Sequence, residues 1–172
     1  MKNVSAICLV LLTVLTSSSY GSINFLFDYS DPSNGSLWTQ NRKDSLERAA
    51  GVVEGYLANY NANIDIQVKS ENNAASNTLA SAASNSTVAG NNYTPGFGNG
   101  DAVMHRILTG TDGNGSTHDG FVNVNWAVPG GWDLSPTAAG VSASAFDFES
   151  TMIHELFHAA GFLSTIGQDG KD

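Results

Sequence analysis

The chain has 172 residues, of which 41% are hydrophobic and 13% are charged, and its formal net charge at pH 7 is -9. This length suffices for one domain with a sizeable core, and the excess of acidic residues argues against nucleic acid and anionic membrane surfaces as partners. A single cysteine, Cys8, excludes a disulfide framework.

The N-terminus has the three regions of a secretory signal peptide. Lys2 supplies a positive charge, an apolar run extends from Ala6 to Leu15, and small residues lead to Gly21. The apolar run is too short to span a bilayer. We therefore predict a signal peptide over residues 1–21, cleavage before Ser22, and a secreted or periplasmic product with no stable membrane insertion.

The following segments alternate between strand and helix patterns. Residues 22–29 alternate as a strand, residues 44–60 repeat apolar side chains at helical spacing, and residues 64–68 alternate again. Residues 102–108 fit either a strand or a short helix, and residues 121–126 alternate clearly as a strand. This order of elements predicts an α+β fold.

Polar segments between these elements are predicted to be loops. Asn72–Asn92 is rich in Ala, Ser and Asn and predicts a surface insertion with a short helical turn at Thr78–Ala83, whereas Tyr93–Gly100 predicts a loop. The oxygen-rich segment Asp112–Asp119 predicts a tight turn. A calcium site is the alternative there, although the segment lacks the glycine and glutamate positions of an EF-hand.

The segment Thr151–Phe162, TMIHELFHAAGF, carries the strongest chemical signal. His154 and His158 are four residues apart, so on a helix both imidazoles point from one face to one place, where they can share a metal ion. Glu155 lies about 100° further round the helix, beside an attacking water rather than among the ligands. This combination predicts a zinc hydrolase.

The same segment predicts a helix with defined ends. Asp147 is a suitable N-cap, and Gly161 can adopt the left-handed conformation that ends a helix. Met152 and Leu156 fall on the side opposite His154, so one face meets the core and the other is left for a metal. The alternative is a buried amphipathic helix whose histidines fill space or bond to the backbone.

The pattern His154-Glu155-x-x-His158-x-x-Gly161-Phe162 resembles the signature of zincin metalloproteases, especially metzincin-like, leishmanolysin-like and exported bacterial forms. The resemblance implies a zincin-like N-terminal subdomain, with a mixed sheet, a backing helix and an active-site helix. It also implies zinc-dependent hydrolysis of a protein or peptide substrate. His154 and His158 are then the metal ligands and Glu155 is the general base.

The chain departs from the metzincin pattern after the glycine. Ser164 stands where a third histidine or an aspartate binds the metal, and no methionine follows Met152 to form the methionine turn. His105 and His118 are expected to be surface or otherwise satisfied histidines rather than ligands. We therefore expect residues 22–172 to be the N-terminal part of a zincin domain, which binds zinc weakly and has little activity by itself.

Two alternatives remain open at this level. Val122–Trp126 is expected to form the upper edge of a substrate cleft, where a peptide pairs by strand addition, but a plain core strand explains the same alternation. The alternative function is a catalytically silent secreted binding or surface protein that retains the zincin fold.

A first prediction concerns export. Because the charged start, the apolar run and the small-residue exit form a signal peptide, N-terminal sequencing of exported protein should give a chain that begins at or near Ser22. Retention of the whole chain in the cytoplasm would contradict this prediction.

Overall fold

The structure is a computed structural model that describes residues 21–86, 101–136 and 141–162. The predicted signal peptide up to residue 20, the predicted loop Tyr93–Gly100 and Ser164 lie outside these ranges. Inside them the fold is mixed α+β, as predicted, with three helices and a mixed sheet. None of the helices found there has the length and apolar character needed to cross a membrane.

The elements follow one another along the chain in this order: strand β1 Ile23–Asp28, helix α1 Gln40–Tyr56, strand β2 Ala62–Glu71, strand β3 Ala80–Ser84, helix α2 Ala102–Thr109, strand β4 Gly120–Asn125, strands β5 Trp132–Asp133 and β6 Phe146–Asp147, and helix α3 Phe148–Ala159.

The main sheet has four strands in the order β1-β2-β4-β3. β1 pairs with β2 and β2 with β4 in parallel, whereas β3 is antiparallel to β4. β5 and β6 form a separate parallel pair that leads directly into α3. β1 and β3 are therefore the edges of the main sheet among the described strands.

The period of two in β2 separates the two faces of the sheet. Ile64, Ile66 and Val68 are fully buried, whereas Asp65 and Gln67 lie on the opposite, partly exposed face. The strand predicted over residues 64–68 is thus confirmed and is longer than its pattern indicated. The apolar face packs against the helices, so the core lies between the sheet and the helices.

Helix α1 is confirmed, but it begins and ends about one turn before the predicted bounds. Trp38 is buried just before the helix, so the chain already contacts the core where α1 starts. Leu46, Ala49 and Val53 are fully buried at helical spacing. At the other end, Leu57 N–H donates to the Val53 and Glu54 carbonyls and closes the last turn.

The prediction of a helical turn at Thr78–Ala83 within a surface insertion is wrong. Residues Ala80–Ser84 form β3, which pairs along its length with β4. Ala80 and Ala82 pack against the core, whereas Ser81 is exposed. Pairing with a neighbouring strand therefore decides the structure of a segment whose small side chains indicate little by themselves.

Strand β4 confirms the alternation of residues 121–126 but not their proposed place at the edge of a cleft. It lies between β2 and β3, and both of its sides are paired. The core-strand alternative is therefore correct.

The ambiguous residues 102–108 belong to helix α2, where Asp101 Oδ1 accepts from Met104 N–H at 2.9 Å as an N-cap.

An aromatic cluster joins α3 to the rest of the core. Phe148, the first residue of α3, is fully buried and stacks on Trp126, with ring centroids 5.4 Å apart. Trp132 contacts the Phe148 ring edge-on at 5.3 Å, and Trp38 does so at 6.4 Å. The start of α3 is therefore held by aromatic rings from three different parts of the chain.

A second prediction tests this anchor. Phe148→Ala leaves a cavity among large rings, so we expect the free energy of unfolding to fall by about 3–5 kcal/mol in denaturant titration. Phe146→Ala is the matched control, because it removes the same atoms from a side chain that is 40% exposed. We expect a much smaller loss for the control, and equal losses would contradict the central role of Phe148.

Candidate metal centre

Helix α3 has the ends that the sequence predicts. Asp147 caps it, with Oδ1 accepting from Glu149 N–H at 3.2 Å. Gly161 follows the helix with a φ of +90°, a conformation that suits glycine. Near the start, Arg48 of α1 forms an ion pair with Glu149 at 3.0 Å. Both ends of the candidate metal-binding helix are thus fixed by local contacts.

The two faces of α3 differ as predicted. Met152 and Leu156 are fully buried in the core, whereas His154 is exposed and His158 is partly exposed. Because the histidines lie on the solvent side, they do not fill space in the core. This distribution argues against space-filling histidines, whereas the other half of that alternative, a bond to the backbone, applies to His158, whose Nδ1 lies 2.9 Å from the Phe162 carbonyl oxygen.

The two predicted metal ligands meet at one point. His154 Nε2 and His158 Nε2 lie 2.8 Å apart, with ring centroids at 4.3 Å. His158 Nδ1 lies 2.9 Å from the Phe162 carbonyl oxygen. Since a carbonyl only accepts, Nδ1 of His158 carries the hydrogen and, in the neutral ring, Nε2 carries the lone pair. This acceptor is a backbone atom that the sequence does not identify.

Two imidazole nitrogens are suitable ligands for a zinc ion, but the described residues supply only these two ligands. Two imidazole nitrogens at about 2.1 Å from a tetrahedral zinc are separated by about 3.4 Å, so the observed pair needs to open by only about half an ångström. Residues 21–86, 101–136 and 141–162 contain no group of three or more His, Cys, Asp or Glu side chains that is able to hold a metal. His154 and His158 are thus a two-ligand site within these ranges.

Glu155 faces the same cavity as His154. Its side chain is only 8% exposed, and no described residue gives it a hydrogen bond or an ion pair. Together with His154 it lines an open cavity of about 510 Å³. The other lining residues are Thr78, Leu79, Ala80, Ser150 and Thr151.

The cavity lies between α3 and the edge strand of the sheet. Leu79 and Ala80, at the start of β3, form one wall, and the first turn of α3 forms the other. The sequence did not predict this wall because β3, which begins beside Leu79, consists of alanines and serines. The only signal for it was the alternation of Ala80, Ser81 and Ala82, which is weak because neither residue type is strongly apolar.

The two upstream histidines stay apart from the candidate metal centre. His118 Nε2 lies 2.9 Å from Asp28 Oδ2, and His105 Nε2 lies 3.3 Å from the Thr111 hydroxyl. Hydrogen bonds from Ser30, together with that of His118, lower the pKa of the Asp28 carboxyl. Each histidine thus has one hydrogen-bond partner within the described residues, although Nδ1 of His105 is buried without one, and that neither histidine is a ligand stays a prediction.

The segment Asp112–Asp119 forms a turn stabilised from within. Asp112 Oδ1 accepts from Asn114 N–H at 2.9 Å and from Gly115 N–H at 2.8 Å. Arg106 forms ion pairs with Asp112 at 3.2 Å and with Asp119 at 2.7 Å. Burial raises the pKa of Asp119, which Arg106 opposes. The predicted tight turn is therefore observed, with its two carboxylates paired to one guanidinium. Because Asn114 Oδ1 and Asp119 Oδ1 are buried without a partner among the described residues, the calcium alternative stays open.

Comparison with protein-family models, with curated proteins and with solved structures gives no match. The candidate centre is therefore supported by the positions of its own residues.

A third prediction concerns the metal. If His154 and His158 share a zinc ion, alanine at either position should remove most bound zinc, measured by elemental analysis after dialysis. Alanine at His105 or His118 should leave the zinc content unchanged. Zinc binding should also weaken with acidification, because protons compete for the ring nitrogens. Undiminished zinc in the double His154, His158 variant would place the site elsewhere.

Proposed function

We propose that this chain is a secreted or periplasmic zinc-dependent metallopeptidase of the zincin type. One observation carries the proposal: the Nε2 atoms of His154 and His158 lie 2.8 Å apart, and His154 shares a cavity with Glu155, which is 8% exposed and has no hydrogen-bond partner among the described residues. The mixed sheet and the helices α1 and α3 agree with the elements that the resemblance implies for a zincin N-terminal subdomain, and this agreement supports the proposal.

His154 and His158 would hold the zinc through their Nε2 atoms. A bound zinc ion supplies a Lewis acid that polarises a carbonyl group and makes a water molecule more acidic. The fixed Nδ1–H of His158 keeps its Nε2 lone pair directed at the shared point. Because His154 is exposed, the zinc site proposed beside it would be open to solvent and substrate.

Glu155 would act as the general base and then as the general acid. It takes a proton from the attacking water and gives it to the departing amine, so that one side chain serves both halves of peptide hydrolysis. A carboxylate without a hydrogen-bond donor keeps its acceptor capacity for a reacting water. Its place in the cavity beside His154 supports a role next to a zinc ion rather than as a ligand.

The substrate would bind as an extended peptide along β3. Among the described strands β3 pairs only with β4, so its other side presents backbone donors and acceptors for strand addition. This role replaces the one expected for Val122–Trp126. Because the cavity wall holds only hydroxyl and aliphatic side chains besides Glu155 and His154, we propose that it accepts neutral substrate side chains.

A catalytically silent secreted binding protein is the second candidate. The observation that favours it is the two-ligand set, because a catalytic zinc normally has three protein ligands and one open position. Under the metallopeptidase proposal the third ligand comes from outside the described residues. Peptide hydrolysis by the full-length natural protein distinguishes the two candidates.

A fourth prediction concerns catalysis. Glu155→Gln keeps the size of the side chain but removes the base, so we expect bound zinc to be retained and casein or peptide cleavage to fall by about 10²–10⁴-fold in the full-length natural protein. Glu149→Gln is the matched control on the same helix, because Glu149 pairs with Arg48 and lies outside the cavity lining. It should keep both zinc and activity.

Each outcome of this comparison has a distinct meaning. Undiminished cleavage by Glu155→Gln would remove Glu155 from the mechanism, and loss of zinc would make it a ligand. Wild-type protein that holds zinc but cleaves neither casein nor peptides would support the silent binding protein.

A further inference from the structure

The chain turns sharply back on helix α3 directly after His158. Gly161 N–H donates to the His158 carbonyl and Phe162 N–H donates to the Phe157 carbonyl, both at 3.0 Å. These two bonds, with a positive φ at Gly161, are those of a Schellman motif at a helix C-terminus. The turn brings the backbone of Phe162 over the last turn of the helix.

This turn places a hydrogen-bond acceptor against the ligand histidine. The Phe162 carbonyl accepts from His158 Nδ1–H at 2.9 Å, so a backbone atom of the turn selects the tautomer of the ring. The residue that ends the helix and the residue that orients the ligand are thus neighbours in sequence. Histidine ligands of metals generally need such an acceptor for the second nitrogen.

Side-chain packing holds the carbonyl in place. The Phe162 and Phe157 rings meet edge-to-face with centroids 5.5 Å apart. Phe157 is partly buried, and the Tyr56 ring of α1 lies 6.0 Å from it. An apolar contact of this kind commonly accompanies a Schellman motif, and here it links the turn to α1.

The two histidines therefore differ in tautomer in the metal-free chain. Because His158 Nε2 carries the lone pair in the neutral ring, the 2.8 Å contact requires His154 Nε2 to donate to it in the metal-free chain. No described residue contacts Nδ1 of His154. His158 already has the tautomer that binds a metal through Nε2, whereas His154 has to exchange its proton first.

We propose that Gly161 and Phe162 form a positioning element for His158, in which the Phe162 carbonyl fixes the Nδ1–H tautomer and so raises zinc affinity. This inference rests on the proposed zinc site, but the tautomer itself is a property of the metal-free chain. Gly161 and Phe162 are positioning residues because they act through His158.

The main test compares two glycine substitutions. Gly161→Ala forces a side chain onto a φ of +90° and places its Cβ 3.0 Å from Asp101 Oδ2, so it should displace the Phe162 carbonyl. Gly51→Ala is the matched control, because its Cβ meets nothing within 4 Å on α1. Histidine tautomers are read by long-range ¹H–¹⁵N NMR of the metal-free chain at alkaline pH, and zinc affinity by competition with a chelator.

We expect His158 to be Nδ1–H in the wild type and in Gly51→Ala, and to populate both tautomers in Gly161→Ala. Zinc affinity should fall by about 10–100-fold in Gly161→Ala, the usual effect of losing an outer partner of a ligand, and should be unchanged in Gly51→Ala. A wild-type His158 that is mainly Nε2–H would overturn the proposal. So would equal zinc affinities for the two variants.

A second pair of variants covers the case in which Gly161→Ala does not fold. Phe162→Ala removes the ring contact with Phe157, and Phe162→Leu keeps an apolar group there. The alanine variant should mix the tautomers and weaken zinc binding, and the leucine variant should restore both. A change in melting temperature with the tautomer and the zinc affinity intact would show a purely structural role and would overturn the proposal.

These results separate this inference from the proposed function. If the wild-type tautomer is Nδ1–H but His154→Ala binds zinc as well as the wild type, the shared zinc site fails while the assignment of the Phe162 carbonyl stands. If zinc requires both histidines but the tautomer ignores Gly161 and Phe162, the positioning element fails and the zinc site stands.

Discussion

The burial of Phe148 is the constraint on which the rest of the site depends. This ring is the first residue of α3 and is fully enclosed by tryptophans from the segment before α1, from the end of β4 and from β5. Since the ring fixes the start of the helix, and Met152 and Leu156 fix its rotation, the opposite face has to carry His154. The chemistry on α3 therefore follows from its packing.

The parts predicted correctly from the sequence are those determined by residues close together in the chain. Strand β2 and helix α3 each bury one face. Their apolar residues therefore recur in the sequence with a period of two in the strand and of about 3.6 in the helix. The convergence of His154 and His158 depends only on helix geometry. The cap at Asp147, a side-chain oxygen that accepts from the Glu149 N–H, and the positive φ at Gly161 likewise depend only on neighbouring residues.

The parts that the sequence left undecided depend on distant backbone groups. β3 is a strand because its backbone pairs with β4, and its alanines and serines give no strong apolar pattern. β4 was predicted to lie at an edge because the sequence did not predict β3, the strand that pairs with its outer side. His158 is oriented by the main-chain carbonyl of Phe162. Because every residue has such a carbonyl, the identity of residue 162 does not indicate this role.

The position of Glu155 favours a functional interpretation of α3 over a purely structural one. Glu155 is 8% exposed as a residue, but neither of its carboxylate oxygens is among the fully buried unpaired atoms of the described residues, and it lines an open cavity without a hydrogen bond from them. A helix selected only to cover the sheet gains nothing from that group, nor from two imidazoles held 2.8 Å apart on its open face. Both features become favourable when a cation binds between the imidazoles, because its charge stabilises the adjacent carboxylate. The unpaired carboxylate beside His154 and the close imidazole pair are thus the observations that support the proposal of a metal-binding helix.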